Sequence, residues 1–164
     1  WTRFHPIGQR AIDGGNTDGR YCLIPLADYL RHSNDERVII LQIESPEALA
    51  NVEAIAAVPG YNGIMFGPGD FSHRIGLAGQ INAPEVVAAR KHVAAVARRH
   101  GKFVMTSGLF APFEELVAEG HQVFNVGADV LALGAYTQQR LELVRTSIEA
   151  LPAKLKPTDR TPYG

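Results

Sequence analysis

The sequence predicts a parallel α/β fold made of four successive βα units. Three observations carry this. Four short strand-like stretches, at residues 38–43, 61–66, 102–106 and 122–126, the first a continuous apolar, β-branched run, alternate with segments of helical period. Within 38–43 only Gln42 is polar, the pattern of a strand covered on both faces. The segments between the strands carry helix start and stop residues. Repeated βα units place helices outside a parallel sheet. Two closures are open: a doubly wound four-stranded sheet, or half of a (β/α)8 barrel, which in full needs about 250 residues.

The elements follow in order. Residues 1–20 are irregular. Asp13-Gly14-Gly15-Asn16-Thr17-Asp18-Gly19 is too rich in turn formers for a regular element and reads as a mobile loop. Residues 25–33 read as a short helix with Pro25 in its first turn. After the first strand, Ser45-Pro46-Glu47 supplies a cap, a first-turn proline and an acid, and the helix runs to about residue 57. The second strand ends at Gly67-Pro68-Gly69, a turn, and residues 73–83 are loop-like. Pro84 opens a long helix with Val86, Val87, Val93, Ala94, Val96 and Ala97 on one face. It closes on Arg98-Arg99-His100-Gly101, cations against the negative helix end and then a glycine cap. A helix over 112–119 follows the third strand, and a last helix spans about 133–150. The domain is expected over 1–150. Residues 151–164, with Pro152, Pro157 and Pro162, read as a loose tail.

Composition narrows the function. Of the 164 residues, 46% are hydrophobic and 20% charged, which is ordinary globular usage and argues against disorder. A net charge of −1 gives no support to a nucleic-acid or polybasic membrane surface. Apolar runs such as Val38-Ile39-Ile40-Leu41 fall far short of the roughly 20 residues of a membrane span. Trp1-Thr2-Arg3-Phe4 has neither signal-peptide nor transit-peptide character. With Cys22 the sole cysteine, no internal disulfide forms, and a reducing, cytoplasmic setting is expected. Cys22 itself reads as a buried thiol.

In parallel α/β folds ligands sit at the carboxyl ends of strands. Glu44 follows the first strand and Asp70 the second. Successive strands of this kind are usually neighbours about 4.8 Å apart, so the two carboxylates can reach one point. Two such carboxylates repel unless a cation sits between them, and oxygen donors suit Mg²⁺ or Mn²⁺. The amides of Gly69 and Asp70 can form a nest for a substrate carboxylate. By residue type alone, however, Glu44 is an ordinary cap or turn acid and Asp70 an ordinary turn former, and spacing does not decide between these readings. Ser107 and Gly108 either line the pocket or form a simple turn. Asp129 reads as a helix cap. The six histidines, His5, His32, His73, His92, His100 and His121, lack zinc-ligand spacing, and only His73 lies near the pair. No Gly-x-Gly-x-x-Gly or Walker motif follows a strand.

Gln42-Ile43-Glu44, followed by Gly67-Pro68-Gly69-Asp70-Phe71-Ser72, resembles the HpcH/HpaI class II aldolase family. Arg3-Phe4-His5-Pro6-Ile7-Gly8-Gln9-Arg10 is similar to that family's arginine–proline–glycine loop, Ala27-Asp28-Tyr29-Leu30 to its next helix, and Asn51-Val52-Glu53-Ala54-Ile55 to the helix after the first carboxylate. The resemblance covers about residues 1–150. It implies a (β/α)8 TIM barrel, of which this sequence is the C-terminal half, strands 5–8 with their helices. It implies a divalent metal, Mg²⁺ or Mn²⁺ with Co²⁺ as a further option, held by Glu44 and Asp70. It implies a pyruvate- or oxaloacetate-like 2-oxo acid, its carboxylate held by the amides of Gly69 and Asp70, reacting with an aldehyde through an enolate, in a homo-oligomer. The family's enolate-stabilising arginine and its histidine–aspartate acid/base pair would lie upstream of Trp1, and Arg10 is not that arginine. Phe71 stands for the usual leucine and Gly69 for the usual alanine. The leading expectation is a metal-dependent carbon–carbon lyase. The rival is a non-catalytic half-barrel or assembly module that binds metal and 2-oxo acid and turns nothing over.

Overall fold

The structure, a computed structural model, describes residues 1–108 and 110–156. It contains α1 (Leu26–Glu36), β1 (Ile40–Ile43), α2 (Pro46–Ala50), α3 (Val52–Ala57), β2 (Gly63–Phe66), α4 (Pro68–Arg74), α5 (Pro84–Arg99), β3 (Phe103–Met105), α6 (Phe113–Ala118), β4 (His121–Val123) and α7 (Asp129–Glu149). The four strands form one parallel sheet in the order β1-β2-β3-β4. Each strand pairs with the next in sequence, so among the described residues the order does not reverse and shows no topological switch point of the doubly wound kind.

Register fixes what faces what. Ile43 pairs with Phe66, and Ile64 with Val104. These four side chains leave one face of the sheet and are buried beneath α3 and α5. α5 turns Val86, Ala89, Val93, Ala94, Val96 and Ala97 toward them, so the predicted apolar stripe is the covering face, with Val87 at its half-buried margin. Its end is as expected: His100 caps it and Gly101 follows at φ +67°.

Several elements depart from expectation. The helix predicted over 46–57 is two helices. Asn51 donates its side-chain amide to Glu47 O at 2.7 Å, and its backbone breaks the helical path there. The Ser45 cap is present, accepting from Ala48 N–H at 3.1 Å. Gly67-Pro68-Gly69 opens α4 instead of making a free turn, because Pro68 suits the first helical position. Pro25 caps α1 from outside its first turn, and α1 runs on to Glu36.

The loop read as mobile is tied to α1. The Tyr29 hydroxyl bonds Asp13 O at 2.8 Å and Asp18 Oδ2 at 3.2 Å, and Asp18 pairs with Arg37. Cys22 is exposed, contrary to the buried thiol expected. It sits at φ +67° after Arg20 and Tyr21, also left-handed, in a turn that carries the chain across the surface.

The chain divides into two compact units, Trp1–Asn125 and Val126–Gly164. The second contains α7, which starts four residues earlier than expected and buries none of its side chains. Of the expected tail, Ala153–Leu155 forms one 3-10 turn, and residues 157–164 lie outside the described residues. No described helix is long and apolar enough to cross a membrane.

Candidate functional site

β1 ends at Ile43, and Glu44 is the next residue. β2 ends at Phe66, and the Gly67 N–H extends the ladder by donating to Ile43 O at 2.9 Å. That sets Gly67 beside Glu44 at the carboxyl ends of two paired strands. α4 then starts at Pro68 and places Asp70 in its first turn. Phe71 is buried against Phe66, ring centroids 5.2 Å apart, and Ser72, fully buried, donates its hydroxyl to Gly69 O at 2.8 Å. These inward contacts leave Gly69 and Asp70 on the exposed side of α4. The N–H groups of a first helical turn have no partner within the helix, so those of Gly69 and Asp70 point to ligand or solvent.

Glu44 is half-buried and Asp70 exposed. Among the described residues neither is in an ion pair, whereas Glu53 holds Arg99 and His100, and Glu119 holds Arg90. Glu44 accepts one bond, from Gln42 Nε2 at 2.6 Å. Among the described residues no group of three or more His, Cys, Asp and Glu side chains is arranged so that it could hold a metal ion. The candidate donors are two carboxylates, Glu44 after β1 and Asp70 in the first turn of α4 after β2, with oxygen atoms only. That donor set fits a hard divalent cation that keeps waters or substrate on its remaining positions.

The other singled-out residues distribute as follows. His73 and Arg74 occupy the exposed last turn of α4, one turn beyond Asp70. Ser107 and Gly108 are half-buried just after β3. Asp129 is the first residue of α7 rather than its cap, and accepts from Val130 N–H at 2.7 Å. His121 is buried, its Nδ1 bonded to Leu116 O at 3.0 Å.

Two features of the site are visible only in the structure. Gly67 is the crowded glycine, whereas a side chain on Gly69 would meet open space. And Gln42 reaches Glu44; the two-residue period of a strand was the available signal.

The sequence profile of the HpcH/HpaI aldolase/citrate lyase family matches residues 2–134. The chain belongs to the HpcH/HpaI aldolase/citrate lyase family. It is 37% identical over 134 residues to a 5-keto-4-deoxy-D-glucarate aldolase of Klebsiella pneumoniae, covering 82% of this chain and 49% of that protein. It resembles the crystal structure of a family protein from Burkholderia cenocepacia J2315 at a TM-score of 0.69 and 32% identity, covering 88% of this chain and 57% of that one. Macrophomate synthase matches at a TM-score of 0.67 and 31% identity, over 90% and 53% of the two chains. The chain thus spans about half the length of the curated relatives it matches.

Proposed function

We propose that this chain carries the metal- and substrate-binding half of an HpcH/HpaI-type carbon–carbon lyase, the C-terminal four βα units of a (β/α)8 barrel. The observation that carries the proposal is the placement of Glu44 and Gly67-Pro68-Gly69-Asp70 at the carboxyl ends of two adjacent, in-register parallel strands. The unreversed strand order supports a barrel over a doubly wound sheet.

On this reading Glu44 and Asp70 hold Mg²⁺ or Mn²⁺, which when bound supplies Lewis-acid polarisation of a 2-oxo group. The amides of Gly69 and Asp70 orient the substrate carboxylate. The relatives named for 5-keto-4-deoxy-D-glucarate support a 2-oxo acid substrate. That compound carries its keto group beside a carboxylate, and its retro-aldol cleavage yields pyruvate and an aldehyde. Proton transfer and enolate stabilisation are assigned to an upstream half, so binding and turnover separate. Assembly with further copies belongs to the same reading.

Calorimetric titration of Mn²⁺ tests the site. Glu44→Gln and Asp70→Asn each replace an anionic donor by a neutral amide, and each removes most of the affinity. Unchanged affinity in both variants rejects the assignment.

A further inference from the structure

Gln42 lies in β1 and Glu44 directly follows its last residue, Ile43, so the two side chains, two residues apart, leave on the same side. Gln42 Nε2 donates to Glu44 Oε2 at 2.6 Å. A hydrogen bond to a carboxylate is a strong one, and it leaves three of the roughly four acceptor sites of the group for other partners. The amide thus fixes the direction of the carboxylate without using it up.

Gly67 closes the pair from the neighbouring strand. A methyl group on Gly67 would lie 2.7 Å from Gln42 Nε2, 3.0 Å from Glu44 Cβ and 3.2 Å from Glu44 Oε2. Its φ is −100°, which any residue adopts. Conformation does not call for glycine here; a side chain would instead have to push aside the end of Gln42, which lies in its way. The bonded pair occupies the volume that a side chain at position 67 would fill.

We propose that Gln42 and Gly67 are positioning residues that set the orientation of the Glu44 carboxylate and, through it, the metal affinity of the site. The inference rests on the two-carboxylate reading above. Gln42 acts by its bond and Gly67 by absence of bulk, so the two effects meet at one contact. Outer-sphere partners of this kind are typically worth ~10–100-fold in metal affinity.

The test titrates Mn²⁺ alone into the full chain, read by calorimetry and by the electron paramagnetic resonance spectrum of the bound ion. Thermal unfolding of each variant is followed in parallel. Gln42→Met, of similar size without the donor, should weaken binding ~10-fold or more and alter the bound-ion spectrum at unchanged unfolding temperature. Gly67→Ala should weaken it comparably. Because both act through the Gln42–Glu44 bond, Gln42→Ala/Gly67→Ala should bind no worse than Gln42→Ala. Additive losses overturn the shared mechanism. Wild-type affinity in both single variants, with affinity lost in Glu44→Gln, overturns the positioning role and leaves the site intact. Wild-type affinity in Glu44→Gln, or no Mn²⁺ binding by the wild-type chain, overturns the site and the inference together. If Gly67→Ala fails to fold, Gln42→Met decides the positioning role alone, since Gln42 is exposed and its replacement disturbs no core packing.

Discussion

The two faces of the sheet are unlike. On the helix-covered face, Ile43, Ile64, Phe66 and Val104 are each 2% exposed or less. On the opposite face, Ile40, Met65, Phe103 and Met105 are only half-buried, and Gln42 is exposed. That second face also grades along the strands. Ile40 and Phe103 lie at the amino ends, Gln42, Met65 and Met105 in the middle, and Glu44 with Gly67 at the carboxyl ends. Apolar material below and carboxylates above is how a barrel interior is organised, with packing at the bottom and chemistry at the top. The covered face holds the unit together. The bare face carries the candidate site.

The sharpest break of this comparison is a pair of adjacent substitutions in β2. Ile64→Ala should cost ~2–5 kcal/mol of unfolding free energy, because it opens a cavity in a fully buried position. Met65→Ala, one residue on and on the other face, should cost ~1 kcal/mol or less. Urea unfolding of the two variants at one protein concentration measures both. Equal costs would mean that the second face is packed in solution. With the costs unequal as expected, repeating the pair with a covering upstream half present should raise the Met65→Ala cost alone.

The second prediction concerns what the bare face can do. On the proposed reading, metal- and substrate-binding groups lie at its upper rim and the enolate donor lies outside this chain. Loss of one such donor is typically worth ~10²–10³ in rate. With Mn²⁺ and pyruvate in D₂O, this chain should therefore exchange the pyruvate methyl protons at least ~10²-fold more slowly than a protein carrying both halves. Proton nuclear magnetic resonance reads the exchange directly. Brisk exchange would hand the missing role to a residue of this chain, with His73 and Arg74, on the exposed turn beyond Asp70, the first to substitute.

Most of the covered face was legible in the sequence and little of the site's fine geometry was. β-branched runs, the Ser45 cap and the Arg98-Arg99-His100-Gly101 ending are local signals, and the structure keeps them. The chain break at Asn51 and the conversion of Gly67-Pro68-Gly69 into a helix start depend on which hydrogen bonds and ring contacts win, here Asn51 with Glu47 and Phe71 with Phe66. Arg90 shows the limit most clearly. It falls among the buried residues of α5, where a cation looks misplaced, yet it is satisfied by Glu119, at 2.6 and 2.8 Å, and by Glu115 at 2.8 Å. Those partners lie 25 and 29 residues away, beyond any local pattern. Glu44 and Asp70 could be singled out because strand ends are where ligands sit, and the structure places them after two paired strands. The close approach of Gly67 to Gln42 and Glu44 was not legible, because it passes between two strands, whereas the two-residue period of β1 was a local signal for the Gln42–Glu44 bond.

The buried Arg90 cluster also sets a pH dependence on the covered side. His121 opens β4 and is buried beside it, Nδ1–H donating to Leu116 O at 3.0 Å and lying 3.8 Å from Glu119 Oε2. Burial pushes the imidazole below its usual range; the Leu116 carbonyl and Glu119 pull it back, Arg90 pushes it down again, and the net direction is down. The folded chain therefore holds His121 neutral at pH values where the unfolded chain, with an ordinary value near 6.5, takes up a proton. Below 6.5 the unfolded state binds more protons, so stability falls with falling pH, at most ~1.4 kcal/mol per pH unit for one proton. Above 6.5 the contribution is complete. Carboxylates held low by cations, such as Glu53 beside His100 and Arg99, act in a separate window, losing their contribution only as pH drops below about 4.5. Urea unfolding between pH 7 and 5 therefore stays clear of the carboxylates, and comparison with a His121 variant singles out this histidine. The wild-type chain should lose stability across that range, and His121→Gln, which keeps a side-chain donor and cannot titrate, should lose less. Parallel slopes for the two proteins would show that His121 takes up its proton equally in both states, and that the α5–α6–β4 corner is open to water.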